Sequence, residues 1–463
     1  MAYGSPIAQA VYDRLPGWGR SLMTTAYAVR TYGSRFGAGY ERWSKILERT
    51  QFESTEALRA RSLQEALELA HRARSESAFF AERLPEREFS WEEVPILTKQ
   101  DVREHMQQMH AADRSAFGRT VVRRTSGTTG TPLELLQTVE AVQRENAFAW
   151  QHRSWHGCPR GCRTATLAGH PVVPTSQHRP PYWVHNRYEN QLIFSSYHMS
   201  PEAMPHYARA LERFTPDLIH GYPSSIALVA QAVLDEGLAI RPKAVITASE
   251  TLLPHQRRLI RDAFGVEPAI WYGNTELAGN IVECPEGRLH VREEHSLTEF
   301  LDEHGRPAAP GSEARLVATA LGNPAMFLLR YDTGDVVVPS AEERCPCGRA
   351  GRLVEQVVGR VEDYIIDGAG RRIGRLDHLF KDAVGVRRAQ LVQYEPGVLT
   401  VRVEVAPRLA ERAQAAITGS IRQRMDPRTT VRFELVSSLA RGASAKVPFV
   451  IQRLGCEQHN CEE

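Results

Sequence analysis

The sequence lacks any run of about 18 apolar residues, the length that a membrane-spanning helix requires. It also lacks a charge imbalance, because 57 lysines and arginines nearly offset 55 aspartates and glutamates, for a formal net charge of +2. A near-neutral chain gives no electrostatic reason to expect nucleic acid or an anionic membrane as a partner. We therefore expect neither partner.

A secretion signal and an internal repeat are missing as well. Asp13, Arg14 and Pro16 interrupt the apolar stretches near the N-terminus, which a secretion signal would keep continuous. Cysteines number seven, which is odd, and several lie close to a histidine in the sequence. Thiols used for metal rather than for disulfides are typical of the cytoplasm, where we expect this protein to act.

The length and the changing pattern of the chain predict several regions. A chain of 463 residues exceeds one typical hydrophobic core. Residues 1–115 read as a helical N-terminal region, in which Ser62 and Glu65 match a capping box that would begin a helix. Residues 116–359 read as a large α/β domain with a β-rich part, and residues 360–463 as a small α+β domain.

Short apolar runs alternate with helical patterns in the middle of the chain. This alternation predicts an α/β domain with an at least partly parallel sheet, in which ligands bind at the carboxyl ends of strands. Polar segments follow three of the runs, at residues 220–225, 249–251 and 272–276, so we expect them to meet at one edge. The expected strands are residues 164–168, 192–194, 217–220, 243–247 and 268–272, and the expected helices are residues 201–214, 224–236 and 254–264.

The later part of the chain has more strand patterns. Residues 296–358 read as β-rich, and residues 330–335 are expected to end one strand and begin the next. In the C-terminal region the expected strands are residues 389–394, 399–405 and 431–435, and the expected helices lie near residues 376–384 and 408–424.

A glycine–hydroxyl loop follows the apolar pair Val121 and Val122. The loop consists of Thr125, Ser126, Gly127, Thr128, Thr129, Gly130 and Thr131. Glycines let successive backbone N–H groups point inward, and hydroxyls add donors, which together suit phosphate oxygens. The loop is not a Walker A motif, because no lysine follows its last glycine. From these residues alone, a phosphate-binding nest and an ordinary surface loop are both open.

Several segments taken together resemble the adenylate-forming superfamily of acyl-CoA synthetases, adenylation domains and luciferases. Within it, the sequence is most similar to the phenylacetate–CoA ligase and CapK-like branch. The matching segments occur in the superfamily's order along nearly the whole chain, at residues 125–131, 194–198, 219–225, 249–252, 272–276, 330–335 and 359–363.

The resemblance implies a fold and a reaction. The fold would be a large N-terminal adenylate-forming domain, beginning with a helical region, and a small mobile C-terminal domain. ATP and Mg²⁺ would activate a carboxylic acid to acyl-AMP with release of pyrophosphate, and the acyl group would pass to CoA as a thioester. One alternative is transfer to an amine or hydroxyl in a biosynthetic pathway. Another, less favoured, is a nucleotide-binding module without turnover.

The resemblance also implies roles for single residues. The loop at residues 125–131 would hold the β- and γ-phosphates, Glu276 would help to hold Mg²⁺, which prefers oxygen ligands, and Thr275 would bond the α-phosphate. Asp335 would accept both ribose hydroxyls. Taken singly, each of these residues has an ordinary alternative, with Glu276 and Asp335 as solvated turn carboxylates and Arg360 as a surface residue. The nucleotide site would be completed by Ser249, Glu250 and Tyr272 beside the adenine, with Gly273 and Asn274 in the same motif.

The C-terminal domain would supply a catalytic lysine. Lys446 is the best match, although Ala445 precedes it where a glycine is more common. Its ammonium would bridge the incoming carboxylate and the α-phosphate. Arg360 would reach the ribose or a phosphate. Glu362 matches the hinge position, where aspartate is the commoner residue, and such a hinge would let the domain rotate between half-reactions.

A second group of residues suggests a metal. Cys284, His290, Cys345 and Cys347 form a Cys₃His set that suits tetrahedral Zn²⁺. Their Cys-x-Cys spacing is tighter than the usual Cys-x₂-Cys, but related CapK-like sequences share the Cys-Pro-Cys-Gly stretch. We expect a structural zinc site rather than a chemical centre, with unligated cysteines as the alternative. The other candidates are treated as unligated, namely Cys158, Cys162, Cys456, His459 and Cys461.

The acid itself is poorly specified by the sequence. The side chains of Tyr222, His198 and Trp271, together with His170 and Trp183, are candidates to wall an aromatic or cyclic acyl group, although aromatic residues also simply fill cores. The expected partners are therefore a small carboxylic acid and an acyl acceptor. The oligomeric state is open, and a dimer is one option.

Overall fold

The computed structural model describes most of the chain. The described residues are 6–113, 117–124, 133–174, 176–200, 202–250, 252, 254–358, 365–373, 376–380, 383, 386–405, 407–436, 450–452 and 454. Within them, no helix is both long and apolar enough to cross a membrane.

The N-terminal region is helical, as the sequence predicted. Its helices are α1 (Pro6–Arg14), α2 (Gly17–Arg35), α3 (Ala38–Thr50), α4 (Thr55–Glu76), α5 (Ala78–Ala81) and α6 (Lys99–His105).

The predicted capping box at Ser62 is wrong. Helix α4 begins at Thr55, and its N-cap, eight residues before Ser62, is Ser54, whose Oγ accepts a hydrogen bond from the backbone N of Ala57 at 3.1 Å. Ser62 is buried inside the helix and its Oγ donates to the Glu293 carbonyl at 2.6 Å. Because the Ser62 hydroxyl bonds to a carbonyl in a distant part of the chain, it does not cap the helix, and the local sequence pattern was misleading.

The middle of the chain forms a large sheet flanked by helices. A separate hairpin precedes it, made of β1 (Thr120–Arg124) and β2 (Glu134–Thr138). The next elements are α7 (Val139–Trp155), β3 (Thr164–Ala168), β4 (Trp183–Asn186), β5 (Gln191–Ser195), α8 (Met204–Phe214), β6 (Leu218–Gly221), α9 (Pro223–Asp235), β7 (Ala244–Ala248), α10 (Pro254–Phe264) and β8 (Pro268–Gly273).

The β-rich part continues the same sheet. Its strands are β9 (Asn280–Glu283), β10 (Leu289–Val291), β11 (Ser296–Leu301), β12 (Ala314–Ala320), β13 (Tyr331–Pro339) and β14 (Leu353–Val357). The expectation that residues 330–335 end one strand and begin another is wrong, because Tyr331–Pro339 is one continuous strand. The complete order is β11-β12-β13-β14-β10-β9-β8-β7-β6-β3-β5-β4.

Five neighbouring strands, β5, β3, β6, β7 and β8, are mutually parallel. Helical crossovers cover such strands on both faces, which explains why every residue of β7 is buried. All five carboxyl ends therefore lie at one edge of the sheet, where the polar segments follow them. The predicted parallel sheet is confirmed.

The C-terminal region forms a smaller sheet with its own core. Its elements are β15 (Ile365–Ile366), β16 (Arg372–Ile373), β17 (Val386–Glu395), β18 (Val398–Val405), α11 (Ala410–Arg424), β19 (Thr430–Leu435) and β20 (Val450–Gln452), and the four-stranded sheet has the order β19-β18-β17-β20. The helix expected near residues 376–384 is only a short 3₁₀ turn, Leu376–Phe380. Its apolar residues Leu376, Leu379 and Phe380 still bury against the core, which is what the hydrophobic pattern detected.

Candidate functional site

The loops at the carboxyl edge of the parallel strands contact one another. The backbone N of Ser224, after β6, donates to Glu250 Oε2, after β7, at 3.1 Å. The hydroxyl of Ser225 donates to that of Ser196, after β5, at 3.3 Å. Three predicted motif segments therefore meet at this edge.

Glu250 and its neighbour have distinct local roles. Glu250 accepts from the first turn of α9, whose positive end favours a carboxylate. Ser249 has a φ of 70°, in the left-handed region that non-glycine residues rarely occupy. Such strain is often held at ligand sites, where surrounding contacts enforce it.

Tyr272 and Asp335 connect two predicted motifs. Tyr272 is the penultimate residue of β8, and its Oη donates to Asp335 Oδ2 on β13 at 2.7 Å. The backbone N of Asp335 donates to the Thr333 hydroxyl at 3.1 Å, and that hydroxyl donates to the Leu316 carbonyl at 2.9 Å. Burial, and then the negative charge of Asp335, raise the pKa of Tyr272 well above its usual value, so the phenol stays a donor.

The turn after Tyr272 is fixed by short-range hydrogen bonds. Asn274 Oδ1 accepts from the backbone N of Ala278 at 2.9 Å, and its Nδ2 donates to the Ala278 carbonyl at 2.5 Å. The Thr275 carbonyl accepts from Gln137 Nε2, on β2, at 2.7 Å. Because β2 directly follows residues 125–132, this bond ties the turn to the strand that leaves the glycine–hydroxyl loop.

Glu276 is a buried carboxylate, with 8% of its surface exposed. Its Oε1 accepts a hydrogen bond from Tyr331 Oη at 3.3 Å, at the start of β13. Burying a carboxylate is costly unless it is hydrogen-bonded or binds a cation. An oxygen ligand at this depth fits a hard cation such as Mg²⁺.

The three candidate acyl-pocket residues occupy different surroundings. A Cβ added to Gly169 would lie 2.7 Å from Tyr222 Oη and 3.4 Å from Tyr197 Oη, so these two phenols meet over that glycine. His198 is buried, with its Nδ1 2.7 Å from Ser195 Oγ and its Nε2 3.0 Å from the Pro174 carbonyl. A ring bonded on both sides is suited to a supporting role.

Trp271 lies on the other face of its strand from Tyr272, because side chains alternate along β8. Its ring centroid is 5.6 Å from that of His152, and it packs against the cluster that includes Tyr40 and Phe148. Trp183 packs with Phe194 in the core beneath α8. The structure thus separates Trp271 from the Tyr222 surroundings.

The four predicted zinc ligands come together. One ligand atom from each of Cys284, His290, Cys345 and Cys347 lies within 4.8 Å of all the others. Cys284 Sγ is 3.6 Å from Cys345 Sγ, and Cys347 Sγ is 3.5 Å from His290 Nε2. Tetrahedral Zn²⁺ with Zn–S near 2.3 Å and Zn–N near 2.1 Å would set these separations at about 3.8 Å and about 3.6 Å.

Backbone groups support the same cluster. The backbone N of Cys347 donates to Cys345 Sγ, and that of Arg349 donates to Cys347 Sγ, both at 3.5 Å. His290 Nδ1 is 3.0 Å from the Ala350 carbonyl, which orients Nε2 toward the sulfurs. A hydrogen bond from the other ring nitrogen fixes the tautomer of a metal-binding histidine, and burial lowers the pKa of His290 to about 4, so the ring is neutral.

Glu283 connects this cluster to the parallel sheet, and the sequence reasoning missed it. Its carboxylate accepts from Arg257 at 2.9 and 3.1 Å and from the backbone N of Ile270, on β8, at 3.0 Å. Its carbonyl lies 2.7 Å from His152 Nε2 and 2.9 Å from His156 Nε2. In the sequence, only the position of Glu283 directly before Cys284 pointed to a role. Its hydrogen-bond partners are either distant along the chain or backbone groups, so no local motif marks them.

Other predicted site residues lie outside the described residues. These are the loop at residues 125–131, Arg360, Glu362, Lys446, Cys456, His459 and Cys461. A contact that no motif predicted joins the small sheet domain to the site edge: Arg371 Nη1 donates to the Tyr197 carbonyl, and the Arg424 guanidinium lies 5.8 Å from the Tyr197 ring centroid.

Comparisons with known proteins agree with this geometry. The sequence profile of the CapK C-terminal domain matches residues 365–453. Protein CapK of Staphylococcus aureus is 26% identical over 275 residues, covering 59% of this chain and 59% of CapK. Phenylacetate-coenzyme A ligase of Thermus thermophilus is 31% identical over 164 residues, covering 34% of this chain and 37% of that protein. The matched segments therefore cover less than two thirds of the length of either relative.

Solved structures match over more of the chain. A 2-hydroxyisobutyryl-CoA ligase in complex with 2-HIB-AMP and CoA in the thioesterification state has a TM-score of 0.56 at 17% identity, covering 88% of this chain and 92% of that chain. The same ligase in the postadenylation state with 2-HIB-AMP gives a TM-score of 0.52 at 17% identity, covering 88% of this chain and 91% of that chain. Over part of its length this chain is therefore similar in sequence to CapK and to phenylacetate-coenzyme A ligase, and it shares its fold with 2-hydroxyisobutyryl-CoA ligase.

Proposed function

We propose that the protein is an ATP-dependent, AMP-forming ligase. It activates a carboxylic acid to acyl-AMP with release of pyrophosphate and then transfers the acyl group to CoA as a thioester. The observation that carries the proposal is the hydrogen bond between Tyr272 and Asp335, which joins the adenine and ribose motifs at the edge where the parallel strands end. The acyl-AMP and CoA complexes of the structurally similar 2-hydroxyisobutyryl-CoA ligase support the same chemistry.

The residues divide the work by their chemistry. Asp335 accepts the hydrogen bonds of the ribose hydroxyls, since its carboxylate is oriented by Tyr272 and its backbone N is held by the Thr333 hydroxyl. Glu276 would hold Mg²⁺, which would supply positive charge beside the phosphates when bound. Thr275 bonds the α-phosphate. Ser249, Glu250 and Tyr272 enclose the adenine, with Gly273 and Asn274 shaping the turn.

The remaining roles fall on residues outside the described part. The loop at residues 125–131 holds the β- and γ-phosphates, and Arg360 reaches the ribose or a phosphate. Lys446, in a small domain spanning residues 360–463, bridges the carboxylate and the α-phosphate, and that domain turns about Glu362 between half-reactions. Helical residues 1–115 and residues 116–359 form the large domain.

We also propose a structural Zn²⁺ on Cys284, His290, Cys345 and Cys347. The separations of these ligand atoms support it, because they are close to those of a tetrahedral site and far from the ~2.05 Å of a disulfide. The metal would join β9 and β10 to the segment before β14. Metal analysis of freshly purified protein should give one zinc per chain, and less than half of that in Cys347→Ser, with Cys162→Ser as the control that keeps its zinc.

An ATP–pyrophosphate exchange screen over a library of acids, aromatic ones included, tests the first half-reaction. Asp335→Asn should lower exchange by about 10- to 100-fold, because charge-assisted hydrogen bonds contribute about 1.5–3 kcal/mol. Asp332→Asn is the matched control, since Asp332 lies on the same strand and pairs with Arg315. Absence of exchange with every acid would favour a nucleotide-binding module without turnover.

Acceptor trials then separate the second half-reactions. Thioester formation with CoA supports the proposal, whereas product only with amines or hydroxyls supports the alternative amide- or ester-forming ligase. For Lys446, Lys446→Ala should lose exchange yet still transfer the acyl group from pre-made acyl-AMP. Lys243→Ala is its control, because Lys243 is an exposed lysine paired with Asp217 at 3.1 Å. Unchanged exchange in Lys446→Ala would contradict that role.

A further inference from the structure

The outer side of helix α2 carries a stripe of exposed apolar residues. Trp18, Leu22 and Val29 have 74%, 64% and 51% of their surface exposed, and Ala26 and Gly33 are exposed as well. These positions recur at intervals of three or four residues, so they share one face of the helix. Single exposed apolar residues are ordinary on a protein surface, whereas a contiguous apolar stripe marks a place where a partner binds.

The opposite side of α2 is held against the edge of the large sheet. The backbone N of His185, in the edge strand β4, donates to Ser21 Oγ at 3.1 Å, and the backbone N of Arg187 donates to Thr25 Oγ1 at 3.1 Å. These hydroxyls cover backbone groups that an open sheet edge would leave free. A partner therefore meets the outer stripe by packing side chains against a fixed helix and not by adding a strand to the sheet.

Gly33 differs from the neighbouring glycines. It lies inside α2, where glycine lowers helix stability relative to alanine. A Cβ added to Gly37 would clash with the Gln143 side chain, so packing explains that glycine, but a Cβ added to Gly33 would meet no other part of the described chain within 4 Å. Packing among the described residues therefore does not require a glycine at position 33. The space outside it fits a bulky side chain that comes from another molecule.

The stripe is complementary to itself when two copies of α2 lie antiparallel. With a twofold axis between positions 25 and 26, Trp18 lies opposite the partner's Gly33, and Leu22 lies opposite the partner's Val29. The two Ala26 residues then meet next to the axis. The largest side chain of the stripe is thus paired with a glycine, and this matching of large and small residues lets two helices approach closely.

The charges of α2 fit a second copy better than a membrane surface. Of its three arginines, Arg20 is buried and Arg35 pairs with Glu189 at 2.9 Å, which leaves Arg30 as the exposed one beside the stripe. A helix that lies on a membrane is typically rich in basic residues along its polar side. In the antiparallel pair the two Arg30 residues are about 13 Å apart along the helix axis, so like charges do not face each other.

We propose that two copies of this chain associate through α2, as an antiparallel pair of helices about a twofold axis. The 19 residues of α2 span about 28 Å. One helix pair of this length buries less than the roughly 800 Å² per partner of a standard stable interface. The dimer is therefore weak and depends on protein concentration, with a Kd between about 1 and 100 µM.

Sedimentation velocity at total concentrations from about 1 to about 300 µM tests the association. The native chain should shift from monomer to dimer over this range. Leu22→Asp places a carboxylate from each copy in the apolar contact, so the Kd should rise by about 30-fold or more. Leu63→Asp, at an exposed leucine of α4, should associate like the native chain.

Two outcomes of this measurement would overturn the proposal. One is native-like association of Leu22→Asp. The other is a native chain that stays monomeric at every concentration, whether or not it binds vesicles of anionic lipid, because the occupant of the stripe would then not be a second copy.

Gly33→Leu separates association from folding. The new side chain points into open space and leucine is a better helix former than glycine, so the melting temperature at low protein concentration should not fall. The same side chain fills the space of the partner's Trp18, so the Kd should rise by about 30-fold or more. Native-like association of Gly33→Leu would contradict the proposed contact.

Cysteine variants test the antiparallel geometry. A disulfide needs Cα atoms within about 7 Å, which the arrangement provides for Ala26→Cys at the axis but not for Arg30→Cys. Under mild oxidation with diamide, Ala26→Cys should give a covalent dimer on a non-reducing gel, at a yield that neither Arg30→Cys nor the native chain reaches. Absence of that dimer, or an equal yield from Arg30→Cys, would rule out this arrangement of the helices.

Discussion

The phenol of Tyr272 donates a 2.7 Å hydrogen bond to the carboxylate of Asp335, across 63 residues of sequence. Tyr272 lies near the end of a parallel strand at the site edge, and Asp335 lies within a strand of the antiparallel part of the sheet. The bond therefore fixes the antiparallel part against the parallel part where a nucleotide would lie. It also gives Asp335 a donor that is independent of any ligand, which orients the carboxylate before a nucleotide binds.

Replacing Tyr272 by phenylalanine keeps the ring and removes this donor. A hydrogen bond to a charged group contributes about 1.5–3 kcal/mol, so the KM for ATP in pyrophosphate exchange should rise by about 10-fold or more. Tyr188→Phe is the control, because Tyr188 is 48% exposed. An unchanged KM for ATP in Tyr272→Phe would show that orientation of Asp335 does not depend on the phenol.

Glu276→Gln should weaken the response to Mg²⁺. The amide oxygen of glutamine can still accept from Tyr331, so the local fold is kept while the negative charge is lost. We expect the Mg²⁺ concentration that gives half-maximal exchange to rise by about 10-fold, equivalent to ~1.4 kcal/mol of cation binding. Glu286→Gln, at an exposed turn, is the matched control. Equal Mg²⁺ titrations of both variants would rule out Glu276 as a ligand.

Removing the proposed zinc should lower the thermal stability of the protein more than its exchange activity. The cluster lies beside β9, and Glu283 links it to β8, the strand that contains Tyr272. Treatment with a chelator strong enough to extract zinc should lower the melting temperature by at least ~2 °C, for a loss of ~2 kcal/mol. Exchange activity per folded chain at low temperature should change less than twofold, and re-addition of zinc should restore the melting temperature. A chelated protein with an unchanged melting temperature would contradict a structural metal.

Much of the fold follows from patterns that the sequence displays directly. The buried parallel strands, such as Ala244–Ala248, are short apolar runs bounded by polar loops, so their positions could be predicted closely. The Cys₃His cluster was predictable because its ligands are chemically unusual. Ser62 misled because a capping pattern needs only local residues, whereas the helix start depends on Ser54 and on the packing of the whole helix.

The contacts that shape the site were less visible. Gln137 donates to the carbonyl of Thr275, and Arg371 donates to the carbonyl of Tyr197. Every residue has a backbone carbonyl, so the type of the accepting residue does not indicate such a hydrogen bond. These bonds therefore cannot be predicted by matching side-chain types in the sequence. The separation of Trp271 from Tyr222 depends on which face of β8 the Trp271 side chain takes relative to the neighbouring helices, and the sequence does not specify that face.

Stability should fall in acid partly because of His198. Burial lowers its pKa from 6.5 to about 4. Between these values the unfolded chain binds a proton that the folded chain does not, so the free energy of unfolding decreases as pH falls from 6.5 toward 4. The full effect is about 3 kcal/mol. In urea unfolding at pH 7.5, 6, 5 and 4.5, His198→Gln should lose stability less steeply than the native chain.

His304→Gln provides the comparison, because that histidine side chain is 64% exposed. Its stability should follow the pH dependence of the native chain. Parallel curves for the native chain and His198→Gln would contradict the assignment of acid sensitivity to His198.

The contact between Arg371 and the Tyr197 carbonyl should matter in only one of the two half-reactions. Arg371 is 7% exposed and its Nε donates to Asp367, itself 1% exposed, at 2.7 Å, so the guanidinium is held rigidly where it meets the loop after β5. A rotation of the small domain would break this contact.

Arg371→Lys keeps the positive charge beside Asp367 but loses the planar fork that reaches the Tyr197 carbonyl. We expect transfer from pre-made acyl-AMP to the acceptor to slow by about 10-fold, for ~1.4 kcal/mol, while pyrophosphate exchange changes less than twofold. Arg428→Lys, an exposed arginine paired with Asp426 at 2.8 Å, should leave both rates unchanged. Equal losses of rate in the two half-reactions would mean that Arg371 only stabilises the small domain. It would then not favour the arrangement in which the small domain contacts Tyr197.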